Sequence, residues 1–230
     1  MDMKKTVIGG INMIRGVIFD MDGLLVDTEP VYYEIFEKIL SDYGYNLNMK
    51  EYTQHISGRS DIENFAYLLS VYKLPLSLDE LRALEAKVEY ERISNGVPLK
   101  KGVSELMDYL RSNNIRTALA TSNTKQKASM ILQSHGLDDA FDALVFVDEV
   151  EHGKPSPDVF LEAVKRLNLS NSECLVLEDS SSGVKAAYNG SIPVIMVPDL
   201  LQPDENLRAM CTSVCKDLLK VKEFIAHVNA

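Results

Sequence analysis

Four short polar stretches of this chain carry residue types that can do chemistry together. "FDMDG" sets Asp20 and Asp22, with one residue between them, at the end of an apolar run. "ATSN" offers the hydroxyls of Thr121 and Ser122 and the amide of Asn123 after another apolar run, and "HGKPSPD" fixes Lys154 between Gly153 and Pro155. "LVLED" ends on Glu178 and Asp179. Two carboxylates held this close resist joint ionisation, and a nearby cation is the usual remedy. Carboxylates from two strand ends form a hard, oxygen-rich site suited to Mg²⁺ that keeps some of its waters. Free backbone N–H groups at a helix start, with a hydroxyl beside them, make a ready anion site. A positioned lysine adds positive charge. The set can therefore hold a phosphate. One carboxylate can attack phosphorus while a second moves a proton. Phosphoryl transfer asks for little else, being mostly positioning and charge stabilisation.

Each stretch alone has a plainer reading. Aspartates favour turns and helix caps. Thr-Ser-Asn-Thr reads as an ordinary N-cap, and a lone lysine is normally a solvated one. Two acid pairs at strand ends, with a lysine and a hydroxyl between them, favour the joint reading. A rival also starts at Asp20. Asp20, Asp22, Gly23 and Glu29 fit the third, fifth, sixth and twelfth places of an EF-hand calcium loop. The first place would then be Ile18, which has no side-chain oxygen, and the residues before it are strand-like rather than helical.

These residues need elements to hold them. Short apolar runs predict strands at 16–20, 115–121, 143–147, 174–178 and 193–197. Between them, Val103, Leu106, Met107 and Leu110 share a helical face. So do Met130 and Ile131 ahead of Gly136, and Phe160, Leu161, Val164 and Leu167. Ser156 and Pro157 read as a helix start, and Asn189 with Gly190 as a stop. Strands alternating with helices of this length predict an α/β fold, a Rossmann-like parallel sheet wrapped on both faces. Ligands bind at the carboxyl ends of such strands, where all four stretches fall. The interval from 29 to 97 breaks the rhythm with helical patterns alone. Tyr32, Phe36, Ile39, Leu40 and Tyr43 mark one helix, closed by Gly44. Ile62, Phe65, Leu68, Leu69 and Tyr72 mark another, and "SLDE" opens a third with a capping box. The expected organisation is a catalytic core over 1–28 and 98–230 and an inserted helical cap over 29–97.

Composition limits the partners. The chain has 230 residues and a formal net charge of −10. Nucleic acid and anionic membrane would be repelled in bulk, so neither is expected as a partner. No apolar run reaches the roughly 18 to 20 residues of a spanning helix. The three cysteines are an odd count, and Cys211 and Cys215 have no partners at metal-binding spacing. Cys174 lies in a core run. With no signal-peptide pattern at the start, the expectation is a monomer in the reducing cytoplasm.

"FDMDGLLVDTE", the hydroxyl at Thr121, "GKPSPD" and "LEDSSSGVKAA" resemble the four motifs of the haloacid dehalogenase superfamily. The helical insert is similar to the branch with a small cap after the first motif. That branch includes β-phosphoglucomutase and many sugar- and nucleotide-phosphate phosphatases. The resemblance implies Asp20 as nucleophile and Asp22 as acid/base. It implies Mg²⁺ held by the Asp20 and Asp179 side chains and the Asp22 carbonyl, with Glu178 in direct or outer contact. Thr121 and Lys154 would hold the phosphoryl group, aided by Ser122 and Asn123, and Gly23 would keep the first loop tight. Arg59 in "ISGRSDIE" would be the cap's substrate-binding arginine. Mutases of this branch carry a histidine five residues after the aspartate matching Asp27, where this chain has Tyr32. The resemblance thus implies a Mg²⁺-dependent phosphatase of a small phosphorylated metabolite, working through an aspartyl-phosphate. A mutase is the alternative. A non-catalytic module of the same fold would be expected to lose Asp20 or Asp22, and a signalling receiver would lack so large a helical insert.

Overall fold

Unbroken apolar runs suit strands buried on both faces, and that is where they lie. The computed structural model describes residues 13–57, 59, 61–199 and 202–230. The chain divides into two compact units, one running up to Val26 and resuming at Leu99, the other spanning Asp27–Pro98.

The first unit is built on a parallel sheet. Its strands are β1 (Gly16–Phe19), β2 (Arg116–Ala120), β3 (Ala143–Val145), β4 (Cys174–Glu178), β5 (Val194–Met196) and β6 (Ser213–Val214). They lie in the order β3-β2-β1-β4-β5-β6. The chain winds outward from β1 to β3 and then returns to β4 on the other side of β1. β1 is therefore flanked by the point where the winding reverses, the place where open α/β sheets bind ligands. The register pairs Phe19 with Leu119 and with Leu177. The residues that follow, Asp20, Ala120 and Glu178, consequently emerge level with one another.

Helices α5 (Val103–Ser112), α6 (Lys125–Ser134), α7 (Asp158–Arg166), α8 (Ser181–Asn189), α9 (Glu205–Met210) and α10 (Leu218–Val228) belong to this unit. Ile18, Val176, Phe160, Val164 and Val184 belong to one buried cluster. Three local expectations change. The strand at 143–147 stops at Val145, because Glu149 folds back to accept from the Phe146 N–H at 3.1 Å and starts a tight turn. Ser156 does not cap α7: its hydroxyl donates to Asp158 Oδ1 at 2.5 Å, and Pro157 holds the cap position. Leu161 is exposed, since it lies a hundred degrees round the helix from Phe160.

The second unit contains α1 (Glu29–Asp42), α2 (Met49–His55), α3 (Asp61–Val71) and α4 (Leu78–Ser94), with no strand among its described residues. α1 buries Val31, Ile35, Phe36, Ile39 and Leu40, and packs against α4. The capping box at Ser77 and Glu80 forms as expected. α2 is an addition to the three expected helices. It is seven residues long and buries Tyr52 alone, so it shows no apolar period. The two chain crossings run side by side: Lys100 N–H donates to Leu25 at 3.0 Å, and Asp27 N–H to Pro98 at 2.7 Å. Among the described residues, no helix is long and apolar enough to cross a membrane.

Candidate active site

Asp20 follows β1 directly and is held level with β4 by its N–H, which donates to the Leu177 carbonyl at 3.1 Å. Lys154 reaches the same point. Its ammonium donates to Asp20 Oδ1, to Glu178 Oε1 at 2.7 Å and to the Ala120 carbonyl at 3.2 Å. Three acceptors match the three protons of an ammonium. The lysine side chain is only 4 % exposed and rides over the Phe160 ring. Glu178 is fully buried, and its other oxygen accepts from the Ser180 N–H at 2.8 Å and hydroxyl at 2.9 Å.

Two glycines make room for the acids. At Gly183, in the first turn of α8, a Cβ would stand 1.6 Å from Glu178 Oε1. At Gly23 it would stand 2.1 Å from Asp179 Oδ2, and the backbone there has φ of +74°. Only glycine meets both demands at position 23.

Carboxylate oxygens of Asp20, Glu178 and Asp179 all lie within 4.8 Å of one another. With Lys154 among them, the cluster carries an excess of two negative charges. A divalent, oxygen-seeking cation fits that donor set. Asp22 sits at the edge. Its Oδ2 accepts from the Asn123 amide at 2.5 Å, whereas its Oδ1 is buried without a hydrogen-bond partner among the described residues. Thr121 is buried, and its hydroxyl oxygen accepts from the Asn123 N–H at 3.0 Å. Ser122 is exposed.

The family profile described as "Haloacid dehalogenase-like hydrolase" matches residues 17–197. The chain belongs to this family. It is 34 % identical over 183 residues to the "Phosphorylated carbohydrates phosphatase" of Thermotoga maritima, covering 78 % of this chain and 82 % of that protein. It is 35 % identical over 211 residues to "(DL)-glycerol-3-phosphatase 2" of Arabidopsis thaliana, covering 86 % and 85 %. Among solved structures, a Thermotoga maritima protein provisionally named β-phosphoglucomutase superposes with a TM-score of 0.80 at 31 % identity, covering 91 % of this chain and 99 % of that one. This places the chain in the β-phosphoglucomutase-like branch of the haloacid dehalogenase-like hydrolases.

Within this haloacid dehalogenase-like core, burial sets the acidities. Asp20 is pushed up to about 7, by burial first; Lys154 opposes the rise, and Glu178 and Asp22 add to it. Asp179 is raised by burial and then by Glu178 and Asp20. Burial pulls the Lys154 ammonium down, but Asp20 and Glu178 more than reverse this and hold it above its ordinary value. One ammonium among three crowded carboxylates leaves charge that a bound cation could balance.

The structure thus brings Asp20, Asp22, Thr121, Asn123, Lys154, Glu178 and Asp179 to the carboxyl end of one sheet. Arg59 belongs to the other unit, where its N–H donates to Ile56 and its guanidinium to the Gln54 carbonyl, both at 3.2 Å. Tyr32 also lies there, its hydroxyl donating to Glu89 Oε1 at 3.0 Å. Sequence reasoning missed Gly183. The one available signal was a glycine four residues after "ED", inside the first turn of a helix.

Proposed function

We propose that this haloacid dehalogenase-like hydrolase is a Mg²⁺-dependent phosphatase that releases inorganic phosphate from a small phosphomonoester. The observation that carries the reading is the meeting of Asp20, Asp22, Lys154, Glu178 and Asp179 at one strand end. Asp20 and Asp179, the Asp22 carbonyl, and Glu178 directly or through water would hold Mg²⁺, which supplies charge neutralisation for the phosphate. An Asp20 oxygen attacks phosphorus, and the bond to the ester oxygen breaks. The leaving oxygen takes the proton of the Asp22 carboxyl group. Asp22, now a carboxylate, removes a proton from a water molecule, whose oxygen attacks the aspartyl-phosphate. Phosphate leaves and Asp20 is restored. Lys154 and the Thr121 hydroxyl, aided by the Ser122 backbone and by Asn123, would hold the phosphoryl oxygens. Asn123 also orients Asp22 through its 2.5 Å bond.

The relatives named as phosphatases of phosphorylated carbohydrates and of glycerol 3-phosphate support a small metabolite as substrate. A net charge of −10 disfavours nucleic acid. We assign specificity to the helical unit, with Arg59 as its substrate-binding cation, and read the enzyme as a cytoplasmic monomer. A mutase is the second reading, favoured by the name of the Thermotoga maritima structure. Against it stands Tyr32, at the position where such mutases carry histidine, with its hydroxyl engaged by Glu89.

A panel of glycerol 3-phosphate, β-glucose 1-phosphate, ribose 5-phosphate and pseudouridine 5′-phosphate, with and without Mg²⁺, decides between them. Phosphate release that needs Mg²⁺ supports the phosphatase. Glucose 6-phosphate formed from β-glucose 1-phosphate in place of free phosphate establishes the mutase.

A further inference from the structure

One half-buried carboxylate of the helical unit has both oxygens hydrogen-bonded to side chains outside α1, yet no role has been given to it. Glu29 opens α1, three residues past Val26. Its Oε2 accepts from the Tyr52 hydroxyl at 2.6 Å, and its Oε1 accepts from the Ser57 hydroxyl at 3.0 Å. The Tyr52 hydroxyl also lies 3.4 Å from the Glu29 carbonyl. Hydrogen bonds to an ionised acceptor are among the stronger ones, and a carboxylate in a first helical turn is favoured by the helix dipole. Tyr52 is a firm anchor. It is 2 % exposed and packs edge-on against Tyr33, whose hydroxyl donates to the Leu47 carbonyl.

The partners of Glu29 bracket a turn. After α2, the Ile56 and Ser57 N–H groups both donate to the Tyr52 carbonyl, and the Arg59 N–H donates to Ile56. Glu29 therefore ties together Tyr52 inside α2 and Ser57 just beyond it, two residues before Arg59. Nothing in α1 requires a carboxylate to span these groups: Glu29 precedes a proline at the helix start, where the helix needs no side-chain partner from α2.

We propose that Glu29 is a positioning residue for substrate recognition: it fixes Ser57, next to the Ile56 carbonyl that holds the Arg59 N–H, against the start of α1 and so sets where Arg59 is presented. The inference rests on the phosphatase reading and on Arg59 as its substrate-binding cation. A merely structural Glu29 would change stability and leave substrate affinity alone.

Steady-state kinetics separate the two roles, using the panel compound of highest kcat/KM and inorganic phosphate as product inhibitor. Glu29→Ala is expected to raise KM by about tenfold while kcat changes by less than about threefold, the signature of lost binding rather than lost chemistry. The inhibition constant of inorganic phosphate, which offers no leaving group to the helical unit, stays at the parental value. Glu29→Gln retains an oxygen acceptor and recovers part of the KM. Ser57→Ala, a minimal change, reproduces part of the defect with a parental melting temperature, and so guards against a misfolded Glu29→Ala. Glu29→Ala combined with Arg59→Ala is no worse than Arg59→Ala alone, because both act through one contact. A parental KM in Glu29→Ala and Ser57→Ala, or KM defects that multiply in the double variant, overturns the inference while the phosphatase stands. A parental KM in Arg59→Ala overturns it through Arg59. A parent protein that frees no phosphate from the panel overturns the phosphatase reading itself.

Discussion

Asp20 and Asp22 have one residue between them and live in different surroundings. Asp20 shares Lys154 with Glu178, whereas Asp22 is held by the Asn123 amide and keeps one buried oxygen without a partner. On the proposed phosphatase mechanism, the first arrangement would steady a carboxylate for attack, and the second would leave an oxygen able to carry a proton. Asp20→Asn keeps size and most hydrogen bonds but would lose the proposed nucleophile. We expect kcat to fall at least about 10³-fold, with an unchanged circular dichroism spectrum. Asp22→Asn removes the acid/base and is expected to cost on the order of 10²-fold or more in phosphate release. Parental turnover in Asp20→Asn would sink the mechanism. The acid cluster was legible in the sequence because two acid pairs at strand ends, with a lysine and a hydroxyl between them, point to one site together although each pair alone reads as a turn or cap. The space they occupy was not. A glycine codes for absence, and the sequence does not say that Glu178 fills the place of a Gly183 side chain.

That glycine is best tested as part of an element. α8 begins immediately after β4, so its first turn and Glu178 compete for one volume. In Gly183→Ala the new methyl group must displace Glu178 Oε1 from 1.6 Å, and with it a partner of Lys154 and of Ser180. Forced overpacking of this kind typically costs about 1–3 kcal/mol. Urea denaturation should show that loss, and kcat should fall with it; an unchanged midpoint would mean that Glu178 has room the structure does not reveal. Ser77→Ala is the contrasting case. It deletes the N-cap acceptor of Glu80 N–H on α4, should cost about 1 kcal/mol in the same experiment, and should leave kcat at the parental value. Capping at Ser77 was readable because its residues are adjacent and their partners local. The same reading failed at Ser156, whose hydroxyl found the Asp158 carboxylate instead of the helix backbone. β6, two residues long, and α2, seven, fall below the length at which apolar periodicity carries a signal. β1 and β4, being unbroken apolar runs, lie where the pattern placed them.

At the scale of the whole molecule the acid cluster is a stability liability that the proposed cation would convert into a strength. An aspartate whose acidity is weakened on folding acts opposite to one in a salt bridge. Asp20 has an ordinary value of 3.8 and is raised to about 7 in the fold. Between those limits the folded protein holds a proton that the unfolded chain has released, so stability of the metal-free protein falls as pH rises through the window. Asp179 is shifted in the same direction. Glu173 behaves conversely: the Ser170 backbone and hydroxyl and Arg15 lower it from 4.5 to about 2, so its contribution is present above 4.5 and lost only in strong acid. The two windows meet only between 3.8 and 4.5, so above pH 5 the Asp20 window alone tilts the balance. EDTA-treated protein should therefore melt at a lower temperature at pH 8 than at pH 5.5. Mg²⁺ held by the ionised cluster would compete with its protons, so it should restore melting by at least about 3 °C at pH 8 and by less at pH 5.5. Activity lost to EDTA should return with the same addition. Asp20→Asn supplies the control, since an amide has no proton to release there and the metal-free fall with pH should flatten. If metal-free protein instead gains stability from pH 5.5 to 8, the buried carboxylates are not the groups that set its balance, and the case for a cation among them fails with it.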